Sequence, residues 1–141
     1  MSKERDAMIA SLKEIVVPVL RKSGFKGSFP HFRRTKGSEL HLLMFVFSRW
    51  GGAFYIEISK CSSAGYTNVY GEYEGVQTVK VHSINHDVIN VRPRIGMQFN
   101  ESFEFTEHTT NEVAQQALSC LGEAEEWWGT YPQWWKHTGT L

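Results

Sequence analysis

The stretch Leu40–Ser59, LHLLMFVFSRWGGAFYIEIS, reads as two β-strands joined at Gly51-Gly52. In its first run Leu40, Leu42, Met44 and Val46 share one side of an extended chain, and Leu43, Phe45 and Phe47 share the other. A strand that is apolar on both faces belongs mid-sheet, with cover on each side. Gly-Gly is a favoured two-residue hairpin loop because type I′ and II′ turns need positive φ. With these glycines as the turn, Phe47 is expected opposite Ile56, Phe45 opposite Ile58 and Arg49 opposite Phe54. Opposed residues share a face. One face of the hairpin is then Leu43, Phe45, Phe47, Phe54, Ile56 and Ile58, which is a core. The other, with Leu42, Met44, Val46, Ser48, Tyr55, Glu57 and Ser59, is mixed, and a mixed face can receive a partner or ligand.

The segments on either side supply what packs on this hairpin. Upstream, Met8, Ile9, Leu12, Ile15, Val16, Val19 and Leu20 recur at three- and four-residue steps, which predicts an amphipathic helix over residues 6–22. Pro18 kinks or weakens its last turn and Gly24 stops it, placing Phe25 beneath. Ser28–Arg34 is extended, and Pro30 puts it at a sheet edge or a bulge. A turn at Thr35–Ser38 leads into the central hairpin, in meander order. Downstream, Lys60–Gly75 reads as a long loop with at most a short strand. Val76–Ile84, Val88–Ile95 and Met97–Phe105 read as further strands, the second disturbed by Pro93 and the third broken at Asn100-Glu101. Thr109 and Glu112 have the spacing of a capping box. They open a helix whose stripe is Val113, Ala117, Leu121 and Ala124, widened by Leu118 and Trp128 and ended by Gly129. The expected architecture is one α+β domain over residues 1–141. It has an antiparallel sheet of about five or six strands, the N-terminal helix on one face, and the C-terminal helix over the other face or at its edge.

Composition narrows the function classes. At 141 residues the chain can bury a core without staples. Fifteen basic and fifteen acidic residues cancel, which argues against a general nucleic-acid or membrane-surface binder, since phosphate recognition needs an excess of Lys and Arg. Cys61 and Cys120 form no C-x-x-C, so neither a disulfide framework nor a zinc ribbon is expected. The start, MSKERDAMIASLKE, lacks the apolar core of a signal peptide, and no run reaches the ~18 apolar residues of a membrane helix. A cytoplasmic location is expected.

Few residues point to chemistry. His82 and His86 with Asp87 have ligand types at a four-residue step. On a strand that step spans ~13 Å, too far for one ion, and no metal site is expected. No nucleophile motif contains either cysteine, no G-x-S-x-G occurs, and the glycines form no phosphate cradle. No cofactor is implied. Phe32-Arg33-Arg34 and Arg49-Trp50 mix basic and aromatic residues as single-strand binders do; with zero net charge Arg33 and Arg49 read better as facing solvent or pairing with acids, and Trp50 as covering the sheet edge. Trp127, Trp128, Trp134 and Trp135 either seal a sheet face or form a recognition patch. Adjacent indoles on a helix point about 100° apart, so one of each pair is expected inside and the other half-exposed.

Several of these motifs together resemble a bacterial family of small cytoplasmic proteins known only as a domain of unknown function. They are the helix end VVPVLRKSGFKG, the Phe32-Arg33 strand, the SRWGGAFYIEI hairpin, the Arg94-Ile95-Gly96 turn and the Trp127-Trp128 pair. The resemblance implies an α+β domain and carries no activity or site residue. By analogy of size and class it is compatible with an immunity protein of the kind encoded beside toxins. The leading expectation is a non-enzymatic binding module, such as an immunity-type inhibitor, docking on a protein partner. Arg49, Trp50, Tyr55, Glu57, Trp134 and Trp135 are its candidate contact residues. The alternative is a small-molecule binder or cryptic enzyme using the mixed face near Tyr55 and Glu57.

Overall fold

A computed structural model describes residues 2–85 and 90–138. His86 and Asp87, two of the three potential metal ligands, lie outside the described residues.

The N-terminal amphipathic run forms two helices, α1 (Lys3–Ile15) and α2 (Val17–Lys22). Ser2 caps the first, its Oγ accepting from the Arg5 N–H at 3.1 Å. Pro18 falls at the start of α2, where its missing N–H costs nothing. At the far end Gly24 takes φ +96°. The Phe25 N–H reaches back to the Leu20 carbonyl and the Gly24 N–H to the Arg21 carbonyl, at 3.0 and 3.1 Å. This is a Schellman closure, and it turns Phe25 into the core, as expected from sequence.

The strands are β1 (His31–Lys36), β2 (Glu39–Phe47), β3 (Ala53–Ser62), β4 (Tyr66–Thr67), β5 (Tyr73–Glu74) and β6 (Phe103–Glu104). They divide into a four-stranded antiparallel sheet of order β1-β2-β3-β6 and a separate β4-β5 ribbon. With two C-terminal helices, α3 (Thr110–Ser119) and α4 (Leu121–Thr130), and a short α5 (Trp135–Thr138), the fold is α+β.

The hairpin register differs from the expected one. Phe47 faces Phe54, not Ile56, and Phe45 faces Ile56, not Ile58. The connection runs from Ser48 to Gly52 and is longer than two glycines, with the Ser48 N–H bonded to the Ala53 carbonyl. The offset is two residues, one full side-chain period, so the expected face assignment survives intact.

Leu43, Phe45, Phe54, Ile56 and Ile58 pack on the first face, against Met8, Leu12 and Val16 of the N-terminal helices and Val113, Ala117, Ala124 and Trp128 of α3 and α4. Both helical units therefore lie on one side of the sheet, where the C-terminal helix was expected over the other face or at the edge. The second face, with Leu40, Leu42 and Met44, is covered by Val79, Val81, Ile84 and Val91 from the long connection and by Trp134 from the tail. Among the described residues, that connection forms only the last of the three strands expected of it, shortened to Phe103–Glu104 after the expected break at Asn100-Glu101. A 3₁₀ turn occupies Val81–Ser83 and another Met97–Phe99, and Asn100 and Glu101 take positive φ. Gly96 is held at φ +94° with the Phe103 ring so close that a Cβ would meet it at 2.7 Å. Only Phe103–Glu104 pairs regularly. The expected capping box is absent too. Thr109 Oγ1 accepts from the Thr106 N–H at 2.8 Å and makes no bond to α3, and α4 runs one residue past Gly129.

Candidate functional site

The β2–β3 connection, Ser48–Gly52, projects from one end of the sheet. Gly51 and Gly52 hold φ +85° and +75°, values a side-chain-bearing residue adopts only at a cost. The Gly51 N–H donates to the Ser48 carbonyl at 3.1 Å and the Trp50 N–H to Ser48 Oγ at 3.2 Å. This turn holds Trp50 with 87% of its surface exposed, the most exposed large hydrophobic side chain among the described residues. The Arg49 guanidinium lies 5.4 Å from the indole and Arg5 of α1 lies 5.2 Å from the Phe47 ring. Ser2, Arg5, Ser48, Arg49 and Trp50 line an open depression of about 340 Å³.

Tyr55 and Glu57 are placed differently. The Arg94 guanidinium sits 3.7 Å from the centre of the Tyr55 ring. Buried Glu57 accepts from Arg92 Nε and Nη2 at 2.8 and 2.6 Å, and Arg92 Nη1 donates to the Ile84 carbonyl at 3.0 Å. Ser59 Oγ donates to the Val91 carbonyl at 2.6 Å. Tyr55, Glu57 and Ser59 thus each hold one residue of segment 91–94 against β3. Backbone bonds from Ile58 to Pro93 and from Ile95 to Ile56, both 3.0 Å, complete the attachment.

The tryptophans divide as the helical geometry predicts. Trp128 and Trp134 are buried, while Trp127 and Trp135 are half-buried. Trp134 contacts Tyr66 edge-on and Trp135 packs edge-on against Trp134 at 5.7 Å. Of the six candidate contact residues, Arg49 and Trp50 stand together in the open, Tyr55 and Glu57 lie under the 91–94 segment, and Trp134 belongs to the core.

Sequence reasoning missed a buried charged row. Arg34, His41 and Lys60 are cross-strand neighbours on β1, β2 and β3, all buried beneath α4. Arg34 donates to Glu125 Oε1 and Oε2 at 2.8 and 2.9 Å and to His41 Nδ1 at 2.8 Å. A guanidinium only donates, so Nδ1 accepts and the imidazole proton sits on Nε2, which donates to Glu39 Oε1 at 2.8 Å. Burial lowers the His41 pKa and the Arg34 charge adds to this, against the opposing bond from Glu39. Burial alone would raise the Glu39 pKa, but bonds from His41, Gln133 and Lys60 outweigh it and hold the carboxyl below its usual value. Lys60 Nζ makes three bonds, to Glu39 Oε2 at 3.0 Å and to the Trp128 and Tyr131 carbonyls at 2.8 and 2.6 Å. The last two carbonyls end α4, where the helix dipole is negative and a cation is favoured. The signal in sequence was a lysine continuing the strand face of Phe54, Ile56 and Ile58, since a lysine there needs a partner when buried. These groups are consumed in bonds to one another. The thiols offer no nucleophile either: burial, with Glu74 adding to it, pushes Cys61 up to about 12, and burial raises Cys120. Among the described residues no group of three or more His, Cys, Asp or Glu converges to hold a metal ion, and no helix is long and apolar enough to cross a membrane.

A family model described as a domain of unknown function (DUF4304) matches residues 16–131. The chain belongs to that family. The match takes in the whole four-stranded sheet, the Arg49-Trp50 turn, the buried charged row and helices α3 and α4, and it leaves α1 outside. Comparison with curated proteins and with solved structures found no match.

Proposed function

We propose that this DUF4304 chain is a non-enzymatic binding module that docks on a protein partner through its β2–β3 turn. Trp50 and Arg49 enter the partner and Arg5 flanks them. The observation that carries this reading is the 87% exposure of Trp50 on a turn whose backbone is fixed by Ser48 and two left-handed glycines. A rigid indole exposed to water gains by burial in a partner and loses little conformational freedom on docking. Trp and Arg are the residue types that most often dominate interface energies. Two guanidiniums without a described carboxylate in the depression favour an acidic partner surface. An immunity-type inhibitor is the kind of module we have in mind, one that would dock by this preformed projection. The alternative placed a ligand at Tyr55 and Glu57, but Arg94 and Arg92 already engage both side chains.

The test is affinity capture from cells of the source organism with three baits: the natural chain, Trp50→Ala and Arg49→Glu. Both variants are expected to keep the urea midpoint of the natural chain and to lose the same captured protein. Equal capture by all three baits overturns the reading.

A further inference from the structure

A second recess lies where the long connection crosses the β1 edge. It holds about 420 Å³ and is lined by Gly27, Ser28, Phe29, His31, Arg33 and Lys80, among others. We propose that this recess is a binding site for a small phosphate-bearing ligand.

Charge carries the argument. Arg33 and Lys80 are cationic at neutral pH, His31 contributes an imidazole, and no Asp or Glu is among the described lining residues. The His82 ring stands edge-on to His31 with centroids 5.1 Å apart. Unlike Arg34, Lys60 and Arg92, which are each answered by a carboxylate, this basic group shows no ion pair among the described residues. His31 Nδ1 is buried and has no hydrogen-bond partner among them. Burial lowers the His31 pKa, and the positive charges of His82 and Lys80 lower it further. The local field is thus positive, and an anion would relieve it. Two permanent cations and two titratable imidazoles suit a group that carries two charges, as a phosphate monoester does near neutral pH.

The backbone is shaped for close approach. Gly27 holds φ +112°, and a Cβ there would lie 2.5 Å from the His31 carbonyl and 3.5 Å from an Arg33 guanidinium nitrogen. Glycine therefore lets the 27–29 segment lie directly against β1 and keeps the guanidinium at the recess. The volume falls within the range of small-ligand sites, and Phe29 at its wall offers apolar surface to an organic body.

The probe is inorganic phosphate, followed through the imidazole resonances of His31 and His82 by NMR at constant ionic strength, with sodium chloride as the reference salt. Phosphate is expected to shift these resonances saturably and to raise the His31 pKa. Glycerol 3-phosphate, a monoester, should compete for the same site, which separates an organic ligand from the free ion by the ratio of their affinities. Arg33→Gln and Lys80→Gln, both changes at the recess surface, should each weaken phosphate about tenfold or more while leaving the urea midpoint near that of the natural chain. Shifts that do not saturate, that chloride reproduces, or that persist unchanged in both variants overturn the proposal.

Discussion

Trp128 and Trp134 donate their indole N–H groups to consecutive carbonyls of β3, those of Ser59 and Lys60, at 2.9 Å each. They do so from opposite faces of the sheet, Trp128 from the helical core and Trp134 from the core under the long connection. The end of α4 and the tail after it thus clamp the end of β3 from its two sides. Lys60 lies between the two indoles and bonds the carbonyls of Trp128 and Tyr131, so helix end, strand and tail form one unit.

Truncating either clamp should be costly and truncating its neighbour should not. Trp128→Ala and Trp134→Ala are each expected to lose about 3–5 kcal/mol in urea denaturation, from lost burial, a cavity and an orphaned carbonyl. Trp135→Ala, at a half-buried site, should lose about 1 kcal/mol. Equal losses at 134 and 135 would show that Trp134 is no clamp.

Lys60 is a buried charge with three acceptors, and removing it leaves Glu39 and two helix-end carbonyls without their cation. Lys60→Met should therefore cost about 3–5 kcal/mol. Glu39→Gln in the same background should cost less than it does alone, because the two groups share one bond. A double-mutant cycle measures this directly, and strict additivity would mean that the 3.0 Å contact has no energetic content.

The same residues show which parts of this fold were legible in sequence. The hairpin faces were, because side chains alternate with a period of two and Leu40–Phe47 displays that period on both sides. The register was not. Arg49 and Trp50 belong to the turn, and local pattern did not separate them from the strand. The helices were legible down to the Gly24 stop, since a left-handed closure needs glycine. Their sharing of one sheet face was not, because both second-face cover and first-face cover are apolar and only the connection's path decides between them. Residues 76–105 alternated weakly, and Pro93, Gly96 and Asn100 replaced strand pairing with turns. Arg49 and Trp50 could be singled out as contact candidates because they pair a basic group with an indole, but Trp50, expected to cover the sheet edge, stands in the open on the longer turn instead. The partners of Glu57 and Arg34 could not, since Arg92 and Glu125 come together with them only in the folded chain.

The observed register makes its own prediction. The Phe47 and Phe54 rings face one another with centroids 5.2 Å apart. A double-mutant cycle on Phe47→Leu and Phe54→Leu should give a coupling of about 0.5–1.5 kcal/mol. The cycle pairing Phe47 with Ile56 should give a smaller coupling. The reverse order would restore the two-residue turn.

Acid stability should fall in two stages, because two kinds of group are perturbed. His41 and His31 have folded-state pKa values below the ordinary 6.5. Between the lowered value and 6.5 the unfolded chain binds more protons than the folded one, so stability rises with pH across that window. The contribution of the neutral imidazoles is therefore complete above 6.5 and is lost as the pH drops below it. For His41 burial is the main cause, and a proton on Nδ1 would in addition face the Arg34 guanidinium. A lowering of one unit corresponds to about 1.4 kcal/mol. Glu39 and Glu125 are lowered from 4.5, Glu39 by bonds that outweigh its burial and Glu125 chiefly by its bond from Arg34. Their contribution is present above 4.5 and is lost as the pH falls through their folded values. Urea denaturation at a series of pH values should show constant stability between about pH 7 and 8, a decline starting near 6.5, and a second decline below 4.5. Glutamine can accept from Arg34 and donate to Glu39 without titrating, so His41→Gln should reduce the first decline and leave the second. Combining it with His31→Gln should remove most of the first. A natural chain whose stability is unchanged from pH 7 to 5 would mean that His41 is not held neutral by the fold.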